Sequence, residues 1–313
     1  MHLIFGEAMQ SSTSNVKYRF DFLKYRYIWL AVSLLYLIAG VAAYFVMGGF
    51  QYHIDFTGGA EITVALDNQV DISKVRSAVA SGGWKEAIIQ EMGNTKKEFL
   101  IRLGGKIESG LESKMQKAIT EYIPGNKLEI RNVQWVGAEV SADTTWNAIY
   151  AIILSILILL LYLAFRFEFA FGFGAIIAML HDILFILAFV LVTGEQVSLH
   201  VLASILAVLG YSANDTIVIF SRIRENFKKL SGQGVSDYDI ANLSINQTLT
   251  RTVLTSFATI LSVLAILFLG GESLRGLSLI MFIGIVVGTY SSIYIASPVM
   301  LAVRYYKELH ATK

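Results

Sequence analysis

Gly210-Tyr211-Ser212-Ala213-Asn214-Asp215-Thr216 is the stretch on which the reading of this chain turns. It sits inside an apolar run from Leu199 to Phe220 that is long enough to cross a bilayer. A carboxylate in such a run costs several kcal/mol of insertion free energy, so Asp215 must be used or be well satisfied. Two readings stay open at this point. Asp215 is an ion or proton site, or it is a protonated acid hydrogen-bonded to neighbouring hydroxyls as helix–helix glue.

The rest of the chain agrees with a membrane setting. Of 313 residues 55% are hydrophobic, and the mean hydropathy is +0.59, so the expected fold class is an α-helical polytopic membrane protein. A net charge of +1 gives no reason to expect a nucleic-acid partner. With no cysteine, disulfides and thiolate metal sites are excluded, and the five histidines lack metal-ligand spacing. Six spans emerge, at Ile28–Met47, Asn147–Phe165, Ala170–Thr193, Leu199–Phe220, Thr252–Gly270 and Gly276–Val303. The first follows Lys17, Arg19, Lys24 and Arg26 and exceeds a signal-peptide core, so it reads as an uncleaved anchor. A cleaved signal ending near Ala42-Ala43 is the alternative.

Basic residues set the orientation. Arg166, Arg222, Arg224, Lys228, Lys229, Arg304, Lys307 and Lys313 share one face with the basic N-terminal flank, while the turns at 194–198 and 271–275 carry only Arg275. Cytoplasmic tails are therefore expected at 1–27 and 304–313, and a cytoplasmic loop at 221–251. Residues 48–145 become a periplasmic domain, and the spans from 146 to 303 complete the membrane part. Within the domain, strand patterns at Glu61–Leu66, Glu86–Met92, Phe99–Leu103 and Leu128–Val136 alternate with helical patterns at Ile72–Ser81 and Glu108–Ile123. The second helix places Leu111, Met115, Ala118, Ile119 and Tyr122 on one face. Gly82-Gly83, Gly104-Gly105 and Pro124-Gly125 punctuate a βαββαβ order, which predicts a ferredoxin-like α+β domain. It contains no nucleophile–base set and no phosphate loop, so a binding or moving part is expected.

Helical spacing places the polar residues of the spans. Ser212, Tyr211, Val208 and Ser204 share a side with Asp215, and Thr248, Thr252, Thr255, Ser256, Thr259 and Ser262 form a stripe on span five. Arg251 at the entrance of that span is either a snorkelling interfacial residue or an electrostatic partner of Asp215. His181-Asp182 in span three is either a proton relay or a structural pair, and adjacent residues cannot both face one partner. Gly284, Gly288 and Ser292 form a close-packing face, and His200 reads as interfacial.

The segment from Gly210 to Asn226 closely resembles the signature of the SecF family, the smaller half of the SecDF protein-export membrane component in the resistance-nodulation-division superfamily. Ile54-Asp55-Phe56-Thr57-Gly58-Gly59, His181-Asp182 and the stretch from Asn242 to Thr252 match in order, and the resemblance runs from about Lys17 to Tyr306. Ser221, Thr57 and Ala258 depart from the family's usual Asp, Lys and Thr. The resemblance implies a subunit, not an enzyme, that uses the proton motive force to assist Sec-dependent translocation across and insertion into the bacterial inner membrane. Its implied partners are SecD, the SecYEG translocon, YajC, the unfolded preprotein and the lipid bilayer, with protons as coupling ion and no other cofactor. It assigns the proton pathway to Asp215 and Arg251, flanked by Asn214 and Thr216, with His181 and Asp182 as weaker candidates. Asp55, Phe56, Gly58 and Gly59 map onto the base of the outer domain, where paired glycines suit a hinge; from the residues alone an ordinary turn is the alternative. A small-molecule or lipid exporter of the same superfamily and a non-transporting scaffold are the competing functions.

Overall fold

Apolar runs of this length become helices because only a helix pairs every backbone amide inside one segment. The computed structural model describes residues 18–93, 95–104 and 110–311. Lys17, Gly105, Glu108 and Lys313, all used above, lie outside the described residues. In chain order a short 3-10 turn leads into α1 (Arg26–Met47), and a single helical turn, Ile54–Thr57, precedes β1 (Gly59–Leu66). Then come α2 (Ile72–Ser81), β2 (Ile88–Met92), β3 (Glu98–Leu103), α3 (Leu111–Tyr122) and β4 (Leu128–Val136). The chain continues as α4 (Ala138–Arg166), α5 (Phe169–Thr193), α6 (Leu199–Leu230), α7 (Asp237–Leu269) and α8 (Glu272–Ser291). A π turn, Ser292–Ala296, joins α8 to α9 (Ser297–Ala311).

Among the described residues, six helical segments are long and apolar enough to cross a membrane: Leu23–Met47, Ala138–Leu163, Phe169–Thr193, Leu199–Leu230, Asp237–Leu269 and Leu274–His310. The chain is a polytopic membrane protein carrying an α+β domain. It parts into two compact units, one holding most of the spanning helices and the other holding Gln51–Ala151 with Gln196–Leu199.

In the second unit the sheet order is β2-β3-β1-β4 and every pairing is antiparallel, the ferredoxin-like arrangement expected from the βαββαβ order. Strand alternation sends Ala60, Ile62 and Val64 of β1 and Phe99 and Ile101 of β3 into a core closed by Val75 and Val79 of α2 and Met115 and Ile119 of α3. Asp71 caps α2 by accepting from the Ser73 amide at 2.9 Å. Tyr122, placed by spacing on the buried face of α3, is half exposed because the helix ends there.

Several boundaries differ from the sequence reading. The expected loop 221–251 is mostly helix, since α6 runs on to Leu230 and α7 begins at Asp237. Apolar length measures the bilayer, whereas a helix continues as long as its polar turns are satisfied. Glu225 pairs with Arg222 and Lys229 at helical spacing, and Ser236 caps α7 through the Asp239 amide. The same reason starts α4 at Ala138, ahead of its apolar run. The base read as a hinge or turn is one helical turn, closed by the Gly58 amide on the Ile54 carbonyl at 2.9 Å. Gly59 follows at φ 130°, and a Cβ there would run into the Leu103 carbonyl of the paired strand.

Gly59→Ala should therefore destabilise the α+β domain by ~3 kcal/mol, combining a backbone region open to glycine with a main-chain clash. Gly48→Ala, at φ 78° with open space around it, should cost only about 1 kcal/mol. Hydrogen exchange of β1 and β3 amides in the full-length protein checks the first, and exchange at the end of α1 the second.

Candidate functional site

Asp215 is buried on α6 with 2% exposure, and the helix that carries it is held by close packing. Gly284 and Gly288 of α8 lie against Val208 and Ser212, where any Cβ would collide. The small-residue face expected at steps of four thus brings α8 onto α6. That approach lets hydroxyls reach the acids. Ser256 of α7 donates to Asp215 Oδ2 at 3.4 Å and shares a 2.7 Å bond with Thr289 of α8. Thr216 bonds Ser292 of the π turn at 2.8 Å.

The second carboxylate is more completely satisfied. Asp182 of α5 is 0% exposed, and its Oδ2 accepts from Ser212 at 2.6 Å and from Ser291 at 2.9 Å. Its Oδ1 lies 3.1 Å from His181 Nδ1. His181 and Asp182 therefore bond each other through Nδ1 and Oδ1, while Asp182 Oδ2 reaches on to Ser212 and Ser291. These bonds tie α5 to α6 and α8. His181 Nε2, the Tyr211 hydroxyl and Thr252 Oγ1 are buried without a hydrogen-bond partner among the described residues.

The structure does not bring every expected residue together. Arg251 is exposed on α7 and makes no hydrogen bond or ion pair with Asp215 among the described residues, although its charge acts on the acid. Asn214 is exposed on the other side of α6. Ser221 carries no carboxylate, and Arg222 instead donates to Gln247 at 2.6 Å and to Glu225 at 2.7 Å. The matched stretch before span five is a clamp. Asn242 and Asn246 bond the backbone of Phe20 and Phe22 at 2.7–3.2 Å, and Asn226 bonds Ser244 and Gln247. Sequence reasoning missed Thr289 and Ser291, which lie off the small-residue stripe that Gly284, Gly288 and Ser292 define.

At the domain base a charged chain replaces the bare turn. His53 Nε2 meets Glu61 Oε2 at 3.0 Å, its Nδ1 meets Asp55 Oδ2 at 3.0 Å, and Arg102 Nε donates to Glu61 at 2.5 Å. Burial alone would lower the His53 pKa, but hydrogen bonds to Asp55 and Glu61 and their charges outweigh it and raise it to about 9. Burial likewise pushes Glu61 up, and the bonds from His53 and Arg102 more than offset it, leaving Glu61 below its ordinary value. His53 was not singled out from sequence, since an isolated histidine carries no spacing signal. Among the described residues, no group of three or more His, Asp or Glu side chains could hold a metal ion.

Comparisons with known proteins come out consistently. Residues 114–306 match the family described as protein export membrane protein SecD/SecF, C-terminal. The protein translocase subunit SecF of Thermodesulfovibrio yellowstonii is 36% identical over 91% of this chain and 95% of its own length. The SecF subunit of Pseudomonas aeruginosa is 35% identical over 90% of each. The crystal structure of SecDF from Thermus thermophilus, titled a translocon-associated membrane protein, is 35% identical with a TM-score of 0.83 over 94% of this chain. A SecDF structure in a super-membrane-facing form is 33% identical with a TM-score of 0.67 over 96% of this chain. The chain spans 40% and 41% of the length of those two SecDF chains.

The His53 chain gives a pH dependence with a definite sign. Because the folded pKa of about 9 lies above the ordinary 6.5, the stabilisation is fully present below the ordinary value. It is lost as pH rises through the folded one. Unfolding of the α+β domain should thus become easier between neutral pH and pH ~10, and His53→Gln should flatten that limb. Thermal unfolding of the full-length protein across this range is the measurement.

Proposed function

The chain belongs to the SecD/SecF family of protein-export membrane proteins, and from that premise we propose that it is a SecF-type subunit that uses the proton motive force to assist Sec-dependent protein translocation. The observation that carries this reading is Asp215, a buried acid inside an apolar span with a hydroxyl of a second span at its carboxylate. An acid placed so can exchange a proton with a change of helix packing, because burial favours the neutral form and a nearby cation the charged one. Arg251 supplies the cation in this scheme. Its charge acts on Asp215 without a direct hydrogen bond in the conformation described, which suits a pairing that is made and broken in a cycle. Thr216 and Asn214 flank the acid, and Asp182 with His181 is a candidate second station.

SecD is the partner this reading calls for first, since the chain spans only two fifths of the SecDF chains it resembles. SecYEG, YajC and an unfolded preprotein follow from the role, and the bilayer from the spans. The basic residues favour cytoplasmic termini and a periplasmic α+β domain in a bacterial inner membrane. Asp55, Phe56, Gly58 and Gly59 form the base about which that domain moves. Protons are the coupling ion, and no enzymatic step is required. A potential of 100 mV supplies ~2.3 kcal/mol per charge, sufficient to bias a hinge equilibrium. The competing reading, Asp215 as packing glue, draws on the same Ser256 bond and is separated from ours by function.

Asp215→Asn keeps size and hydrogen bonding but cannot ionise. It should leave SecD association and folding intact and abolish proton-dependent stimulation of export in membrane vesicles. Full stimulation in that variant would leave only the glue reading. Arg251→Ala should lose most of the stimulation, and Arg251→Lys should restore part, since it keeps the charge and not the planar fork. Export by Arg251→Ala equal to the parent would make that residue merely interfacial.

A further inference from the structure

The span that carries Asp215 begins at Leu199, and its first amide is not left to solvent. The Leu199 N–H donates to Asp55 Oδ2 at 3.0 Å. A helix start has unpaired amides and a partial positive charge, so a carboxylate there acts as a charged cap. Asp55 is far from Leu199 in sequence, and the two meet because Gln51 and His53 run beside Val197. The Val197 amide donates to Gln51 at 2.8 Å, and the His53 amide donates to Val197 at 2.9 Å. Gln196–Leu199 accordingly fall within the same compact unit as the sheet.

The capping carboxylate is itself held from behind. Asp55 Oδ2 meets His53 Nδ1, His53 Nε2 meets Glu61 on β1, and Glu61 takes Arg102 from β3. Every link is between 2.5 and 3.0 Å, and the His53 and Glu61 side chains are only 15% and 13% exposed. Charge alternates along the row from Arg102 through Glu61 and His53 to Asp55, and then to the positive end of α6. Such a row is stiff, because shifting any member leaves a half-buried charge unpaired. Glycines alone make a loose joint, and here the joint is bridged.

We propose that Arg102, Glu61, His53 and Asp55 form a strap that ties the Leu199 amide, where the helix of Asp215 begins, to the sheet, and that export depends on this tie. This rests on the proton-driven role proposed above. His53 is a positioning residue in this scheme: the protonated ring bonds both carboxylates at once and aims Asp55 at the Leu199 amide. With Nδ1 unprotonated, that nitrogen instead accepts from the Asp55 amide, 3.3 Å away, and no longer holds the carboxylate. The charged groups facing His53 are Asp55 on the turn 54–57 and Glu61 on β1, with Arg102 of β3 behind Glu61.

Hydrogen exchange and export, measured on the full-length protein, test the strap together. His53→Gln and Glu61→Gln should each speed exchange of the Leu199–Val201 amides by about tenfold, the loss of one charge-assisted bond. Both should also reduce proton-dependent export severalfold, while Arg102→Lys, which keeps the cation beside Glu61, should restore both readouts relative to Arg102→Gln. Protection of Ile62 and Ile101 in the sheet should stay at the parent level, which distinguishes a released cap from an unfolded domain. If one variant does lose sheet protection, the other two positions carry the test. Parent-like exchange at Leu199–Val201 in the variants overturns the strap, and so does faster exchange with undiminished export. Asp215→Asn separates the two ideas. It should stop export without changing exchange at Leu199, so normal export in that variant would defeat the proton role whatever the strap does.

Discussion

A carboxylate in hydrocarbon has no water to solvate it, and the interior of the membrane unit is organised around meeting that demand from within. Asp182 and Asp215 are each supplied by hydroxyls from other helices, Ser212 and Ser291 for the first and Ser256 for the second. A serine hydroxyl is short, so its helix must approach closely. Glycines make that approach possible, at 284 and 288 against α6 and at 174, where α5 meets Ala296 and Met300. Small residues, hydroxyls and acids are one structural solution: the glycines have value because the acids need short donors.

The end of α8 shows how one segment serves several neighbours. Thr289 reaches Ser256 on α7, Ser291 reaches Asp182 on α5, and Ser292 reaches Thr216 on α6. In a helix, successive residues diverge by ~100°, so hydroxyls within one turn naturally face different helices. The π turn that begins at Ser292 widens the coil there, and π turns are common where helices must do more than pack. The Ser297 hydroxyl bonds back to the Ser292 carbonyl at 3.1 Å, closing part of the loosened ladder. A change of charge on either acid would be felt at this one segment, through different hydroxyls.

How much of this was legible depended on the range of the interaction. Spans, strand order and the α2 boundaries follow from local periodicity, which a single sequence carries fully. The Gly284, Gly288 and Ser292 face was readable because a four-residue step is itself a packing rule. Arg251 and Asp215 read as partners because both lie near one end of adjacent spans, and the Arg251 charge does act on the acid without a direct bond. The extension of α6 and α7 beyond the bilayer was hidden because polar helices have no apolar run to mark them. The row at His53 was invisible for another reason. Its members are scattered among residues 53, 55, 61 and 102, and only the pairing of β1 with β3, which sets Glu61 opposite Arg102, brings them together.

The two charged regions solve the same physical problem with opposite means. Inside the spans the acids are met by neutral hydroxyls, which can donate to a carboxylate or accept from a carboxylic acid. At the base of the α+β domain the acids are met by cations, which stabilise the ionised form alone and resist any change. In the proton-coupled role proposed above, the first kind of site is the one that yields to a proton and the second the one that does not. The strand register places the unyielding site at the start of the helix that holds the yielding one.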